Sequence, residues 1–123
     1  RLSNDGQLVS FVINDSVYLA PTAGSAAAQA IVAGDEEMVS WGSAEFVAAE
    51  EMRRNRGHWW DSTGMKLAVT RVDVSNVTTW HISAPNEPAT IPKEIKYPAA
   101  GSRNADVQLP VIDTDDNSRT EDI

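Results

Sequence analysis

Apolar positions along this chain come in short runs of three to seven residues, and most of the runs are separated by Gly, Pro, Asn, Asp or Ser. Leu8 to Ile13 is rich in β-branched and aromatic residues, Asn14-Asp15 offers a turn, and the apolar run resumes from Val17 to Leu19, which predicts a hairpin. The next stretch, "TAGSAAAQAIVAGDEEMVSW", pulls two ways. Its alanines favour helix, but Thr22-Ala23-Gly24 and Gly34-Asp35 look like turns, and a third strand near Gln29 to Val32 is preferred. Lys66 to Val72 alternates Leu67, Val69 and Arg71 on one face with Ala68, Thr70 and Val72 on the other. Val77 to Ile82 is a further β-rich run. A segment around Ile95 and a strand near Val107 to Ile112, with a Pro and Gly turn between them, complete the pattern.

One stretch departs from it. From Ser43 the spacing of Phe46, Val47 and Ala49 with Glu50 fits a helical turn; Ser43 can cap it, Arg53 and Arg54 suit its C-terminus, and Gly57 can end it. The prediction is a helix of two to three turns, carrying adjacent glutamates Glu50 and Glu51, just before the pair Trp59-Trp60.

A repeat explains the position of this helix. Shifting the chain by 58 residues lays Gly6 on Gly64, Val9 on Leu67 and Phe11 on Val69, so "NDGQLVSFV" and "STGMKLAVT" are two versions of one turn-plus-strand unit. Without the helix-like segment Ser43 to Arg56, the period falls to about 44 residues, within the range of propeller blade repeats. The sequence thus predicts an all-β, mainly antiparallel fold: about two propeller blades with one short inserted helix. Residues 1–42 are assigned to one blade, 43–56 to the insertion, 57–117 to the next blade and 118–123 to a tail.

Composition narrows the function. With 41% hydrophobic and 23% charged residues the chain fits a globular class, and at 123 residues it is one domain or part of one. A formal net charge of −8 is a poor match for a phosphate backbone, so nucleic acid is not expected as a partner. There is no cysteine, and the two histidines lack ligand spacing, so no metal or other cofactor is expected. No apolar run approaches the roughly 20 residues needed to span a bilayer, and the compartment stays open. The abrupt start at "RLSNDG" and the acidic end "DTDDNSRTEDI" suggest a segment of something longer.

The ordered set "SNDGQLVSFV", "AEFVAAEEM", "GHWWDSTGMKLAVTRVD" and "YPAAGSRNADVQL" resembles the N-terminal β-propeller of the dipeptidyl peptidase IV family, in the prolyl oligopeptidase clan of serine peptidases. The similarity runs from about Ser3 to Asp115. There are departures. The family's Ser-Pro-Asp-Gly turn appears as Ser3-Asn4-Asp5-Gly6 and, more weakly, as Asp61-Ser62-Thr63-Gly64. His58 stands where a tyrosine is frequent, and Asn104-Ala105 lacks a proline. The resemblance implies an eight-bladed propeller joined to a C-terminal α/β-hydrolase domain that supplies the catalytic triad. It also implies that Glu50 and Glu51 hold the free α-amino group of a peptide substrate, and that the parent releases N-terminal dipeptides with proline or alanine second. The chain itself has no Gly-x-Ser-x-Gly elbow and is not expected to hydrolyse peptides. A catalytically inactive clan member serving as a binding scaffold, or a tri- or tetrapeptidyl aminopeptidase, fits the same propeller.

The physical case for the glutamates stands beside the resemblance. A protonated α-amine offers three N–H donors and one charge, so two carboxylates can each accept a charge-assisted hydrogen bond. Two carboxylates in close quarters repel, and a bound cation relieves the repulsion. The competing reading is an ordinary solvated helix face with Glu50 paired to Arg54. Trp59 and Trp60 are expected to pack rather than stack a ligand. Arg71 and Asp73 read as a structural pair, Tyr97-Pro98 as a rigid loop entry, and His58 and His81 as packed or solvated. The sequons at Asn14 and Asn76 carry little weight. Two blades alone expose apolar faces and open strand edges, so self-association into a homo-oligomer, or partial disorder, is expected of the isolated chain.

Overall fold

The computed structural model describes residues 1–120. In chain order its elements are β1 Leu8–Ile13, β2 Ser16–Pro21, β3 Gln29–Val32, β4 Val39–Trp41, α1 Phe46–Glu51, β5 His58–Trp60, β6 Lys66–Val69, β7 Arg71–Asp73, β8 Thr79–Ile82, β9 Lys93–Lys96, β10 Asp106–Gln108, β11 Val111–Asp113 and β12 Arg119–Thr120. Every strand pair is antiparallel. Strands β1, β2 and β3 form one sheet in that order, and Leu2 bridges Val9 on the free side of β1. The β1–β2 hairpin closes through Asn14 and Asp15, both left-handed at φ 47° and 59°, as a two-residue turn that follows the strand twist requires.

The second blade is a single four-stranded sheet whose strands bend. Its two halves have orders β12-β11-β6-β5 and β10-β7-β4. Across the inner pair the register is continuous: Gln108 opposes Arg71 on one side of the bend and Val111 opposes Ala68 on the other. The predicted strands Lys66 to Val72 and Val107 to Ile112 are therefore each divided once. Pro110 has no N–H, and its carbonyl still accepts from Val69 N at 3.0 Å. On the other strand the division falls at Thr70. There Val69 and Thr70 are buried consecutively, and the expected alternation of faces inverts so that Val72 rather than Arg71 faces the interior.

The division at Thr70 is caused by its outer neighbour. Trp41 opposes Arg71 and His58 opposes Val69, so β4 and β5 are two halves of one strand, with the helix-bearing segment leaving and returning at a single rung. Gly42 and Gly57 share that rung. Gly42 N donates to Thr70 O at 2.9 Å, and Thr70 N donates to Gly57 O at 2.7 Å. In an unbroken antiparallel ladder one partner residue would make both bonds. The Thr70 hydroxyl, 2.7 Å from Ser43 O and 3.0 Å from Gly57 O, closes the neck from the side. A Cβ on Gly57 would lie 2.4 Å from Thr70 Oγ1, which is why the chain returns through glycine rather than using Gly57 to end the helix.

Strand β4 is too short to leave a periodic signal in the sequence. Its pairing with β7 puts Val39–Trp41 in the second blade, where the sequence assigns residues 1–42 to the first. Arg119 and Thr120 likewise extend the blade as β12, within the predicted tail; the rest of that tail lies outside the described residues.

The two blades meet face to face. Val17, Leu19, Ile31 and Val32 of the first form one cluster with Val39, Trp41, Leu67, Val69 and Ile112 of the second. Trp60 Nε1 donates to Ser10 Oγ at 3.0 Å and Asn4 Nδ2 to Asp61 O at 3.0 Å, so the blades are also linked by hydrogen bonds. This is the arrangement of neighbouring blades in a β-propeller, as the sequence predicts.

The repeat has a chemical basis. At the first turn, Leu8 N donates to Ser3 Oγ at 2.9 Å and Gln7 N to Asp5 Oδ1 at 3.1 Å, while Ser3 Oγ donates to Asp5 Oδ1 at 2.6 Å. At the second, Lys66 N donates to Asp61 Oδ1 at 3.1 Å and Met65 N to both Asp61 Oδ1 at 3.0 Å and Thr63 Oγ1 at 3.3 Å, while Thr63 Oγ1 donates to Asp61 Oδ2 at 2.5 Å. Hydroxyl and carboxylate have exchanged places, yet the same two backbone amides are held. The hydroxyl bond, with the amides behind it, lowers both carboxyls: Asp5 below the usual range, and Asp61 to about 2.

His58 packs beneath the neck. It is buried, with Nδ1 3.0 Å from Gly42 O, so that nitrogen carries the proton and donates. Burial lowers its pKa. The Gly42 bond opposes the shift, and the positive charges of Arg56 and Arg1 add to it.

Two outcomes are expected in the full-length protein, read by thermal unfolding. Gly57→Ala and Thr70→Val each destabilise by about 1–3 kcal/mol, the first by overpacking and the second by removing the hydroxyl donor from Ser43 O; unchanged melting would show that the neck does not depend on this rung. Because the folded pKa of His58 is depressed, the unfolded chain takes up the proton first. Its penalty is absent above the ordinary value of 6.5 and grows as pH falls below it. His58→Gln should therefore narrow its stability deficit relative to wild type as pH falls from 7 to 5.

Candidate functional site

Helix α1 is shorter than the sequence predicts and is capped by a different residue. The Glu45 carboxylate accepts from Val47 N at 2.6 Å and Ala48 N at 2.8 Å, satisfying two of the free amides of the first turn. Ser43 instead bridges Arg56 at the neck. The sequence pointed to Ser43 because Ser, Asp and Asn are the usual caps; a glutamate reaching back over its own helix leaves no comparable signal. Ala48 is the side of the helix that is buried.

The helix ends at Met52, where Arg53 turns left-handed at φ 53° and Arg54 N donates back to Ala48 O at 2.9 Å. This turn carries Arg53 and Arg54 off the helix. Arg54 therefore does not pair with Glu50. Its Nη1 donates to Arg56 O at 2.7 Å and its guanidinium lies 5.9 Å from the centre of the Trp59 ring, which Arg56 also approaches at 5.4 Å. The ordinary explanation for Glu50, an ion pair four residues on, is thus missing.

Glu50 and Glu51 are both exposed, and among the described residues neither carboxylate has a hydrogen-bond or ion-pair partner. Consecutive helix positions are about 100° apart, so the two side chains diverge and cover a wider sector than one acid would. Phe46 shares a helical face with Glu50, and Val47 with Glu51. Phe46 is held from outside the helix: its ring meets Tyr97 edge-on at 5.2 Å between centroids, and Tyr97 meets Trp80 of β8 at 5.6 Å. The sequence singled out Tyr97 only as a loop entry; ring contacts between residues some fifty positions apart leave no local trace.

The other residues flagged in the sequence lie elsewhere. Trp60 packs against the core, and Trp59 carries the two arginines. Arg71 finds its closer partner in Glu36 at 2.6 Å, with Asp73 at 3.9 Å. His81 lies 3.2 Å from Glu94 across the exposed β8–β9 hairpin. Among the described residues no group of three or more His, Asp or Glu is placed to hold a metal ion.

Solved structures share this architecture. Porphyromonas gingivalis dipeptidyl peptidase 4 superposes with a TM-score of 0.82 at 23% identity, covering 100% of this chain and 18% of that one. A putative dipeptidyl aminopeptidase IV from Bacteroides ovatus superposes with a TM-score of 0.73 at 20% identity over 95% of this chain and 15% of the other. Among sequences, rat inactive dipeptidyl peptidase 10 is 27% identical over 111 residues, covering 87% of this chain and 14% of the relative. The chain thus spans a small part of the length of the proteins it matches. The family model of the dipeptidyl peptidase IV N-terminal region matches residues 1–122. The chain belongs to the family of dipeptidyl peptidase IV N-terminal regions.

Proposed function

We propose that this chain is the substrate-gating, non-catalytic propeller portion of a dipeptidyl peptidase IV-like serine exopeptidase, in which Glu50 and Glu51 bind the free N-terminal amine of a peptide. The observation that carries this reading is the state of the two carboxylates. They are adjacent, exposed and unpartnered among the described residues, on a helix projected from a break in a blade strand.

An ammonium group can satisfy both acids, whereas an internal peptide amide has no charge and one donor. The difference is on the order of 2–5 kcal/mol in a desolvated site, or roughly 30-fold to a few thousand-fold discrimination. Holding the amine a fixed distance from a serine on the α/β-hydrolase domain would count off two residues. Proline or alanine at the second position is the substrate class this reading takes from the family.

A second reading has its own support. One relative is an inactive dipeptidyl peptidase, and a human relative, 28% identical over 113 residues, is named a prolyl endopeptidase. A catalytically inactive parent would use the same propeller as a binding scaffold; a tri- or tetrapeptidyl aminopeptidase would release longer products.

In the full-length protein, Glu50→Gln or Glu51→Gln should lower kcat/KM for free-amine dipeptidyl substrates by roughly 30-fold or more. Wild-type rates would sink the assignment, release of tri- or tetrapeptides would revise the ruler length, and an inert wild type would select the scaffold. Residues 1–123 expressed alone should self-associate in light scattering, because a blade face meant for a neighbour would be open; a stable monomer would count against a missing neighbouring blade.

A further inference from the structure

Helix α1 has six residues, too few to be stable alone, and its direction must be set from outside. Its base is fixed by the Thr70 rung and its first turn by Glu45, but neither fixes rotation about its own axis. Among the described residues two contacts act on that rotation: the buried Ala48 on one side of the helix, and on another side a ring contact from the β8–β9 hairpin. Tyr97 directly follows β9, its amide bonded to Thr78 O at 3.0 Å, and Pro98 stiffens the chain beyond it. Its ring stands between Trp80 and Phe46, edge-on to both at interplanar angles of 77° and 69°. Edge-to-face pairs have a preferred geometry, so this three-ring stack resists rotation of Phe46. Phe46 lies one turn before Glu50 on the same face, so fixing one side chain aims the other.

We infer that Tyr97 is a positioning residue: it ties the glutamate helix to the exposed hairpin and sets the direction of Glu50 and Glu51. The inference rests on the amine-binding reading above. The hairpin then has a role in recognition although it touches no substrate, and anything that shifts it also shifts the acids. The contact is made through the rings, at 5.2 Å to Phe46 and 5.6 Å to Trp80 between centroids.

The test compares the binding of the dipeptide Ala-Pro and its N-acetyl derivative to the full-length protein by calorimetry, which works whether or not the parent is catalytic. Tyr97→Ala should reduce the preference for the free amine by roughly two- to tenfold, the range an aromatic pair supports, whereas Tyr97→Phe should keep it. Tyr97→Leu, which keeps bulk without the edge-on geometry, should behave like Tyr97→Ala and serves if the alanine variant does not fold. Glu51→Gln is the control. If it abolishes the preference while Tyr97→Ala and Tyr97→Leu keep it, the positioning role is overturned and the amine reading stands. If Glu51→Gln keeps the preference, the amine reading fails and the positioning role with it. A purely structural role for Tyr97 would lower the melting temperature but weaken both ligands equally, which also overturns the inference.

Discussion

One rung of one strand organises the second blade. Thr70 exchanges its two backbone hydrogen bonds not with one partner but with Gly42 and Gly57, so the outer strand can be cut and its ends held side by side. Fourteen residues, Ser43 to Arg56, lie between the two positions; Ser43 and Arg56 bridge each other at the neck, and the residues between them leave the sheet without costing the Thr70 rung a hydrogen bond. Both glycines are needed because the space is already occupied: a Cβ at Gly42 would meet Val17 at 2.6 Å, and one at Gly57 would meet Thr70 and Ser43. Buried carbonyls left unpaired cost more than a made bond returns. Gly57 O is already held by Thr70 N, and the Thr70 hydroxyl, 2.7 Å from Ser43 O, supplies the donor for that carbonyl.

What the excursion carries follows from how little holds it. A helix of six residues gains almost nothing from its own hydrogen bonds. Its stability is borrowed from the neck below, from Glu45 at its start, from the buried Ala48, and from the rings of Phe46, Tyr97 and Trp80 at its side. Of the three glutamates on this segment, Glu45 is consumed by the cap, and Glu50 and Glu51 have no partner among the described residues. Their usual partner is removed by backbone geometry, because the left-handed turn at Arg53 sends Arg54 toward Trp59. An acid pair kept unneutralised in this way is suited to a cation that arrives from elsewhere.

The blades themselves tolerate exchange where the geometry of hydrogen bonding is kept. Ser3 with Asp5 and Asp61 with Thr63 bind equivalent backbone amides in opposite order. A hydroxyl and a carboxylate each present an acceptor at that reach, and each pair is internally bonded, so neither order leaves a charge or donor idle.

The sequence alone determined the fold class, the repeat and the place of the insertion, because these are written in local signals: Gly-bounded turns, β-branched runs and a change of period at Ser43. It also puts Glu50 and Glu51 side by side, since adjacency alone brings them together. Tertiary structure decided what those residues are free to do. The three-residue strand β4, the broken strands at Thr70 and Pro110, the Glu45 cap and the Tyr97 contact with Phe46 all depend on partners distant in the chain. A ladder rung shared by Gly42 and Gly57, or a ring stack spanning residues 46 to 97, has no period and no propensity; each is defined by which backbone groups and side chains the packing brings within reach.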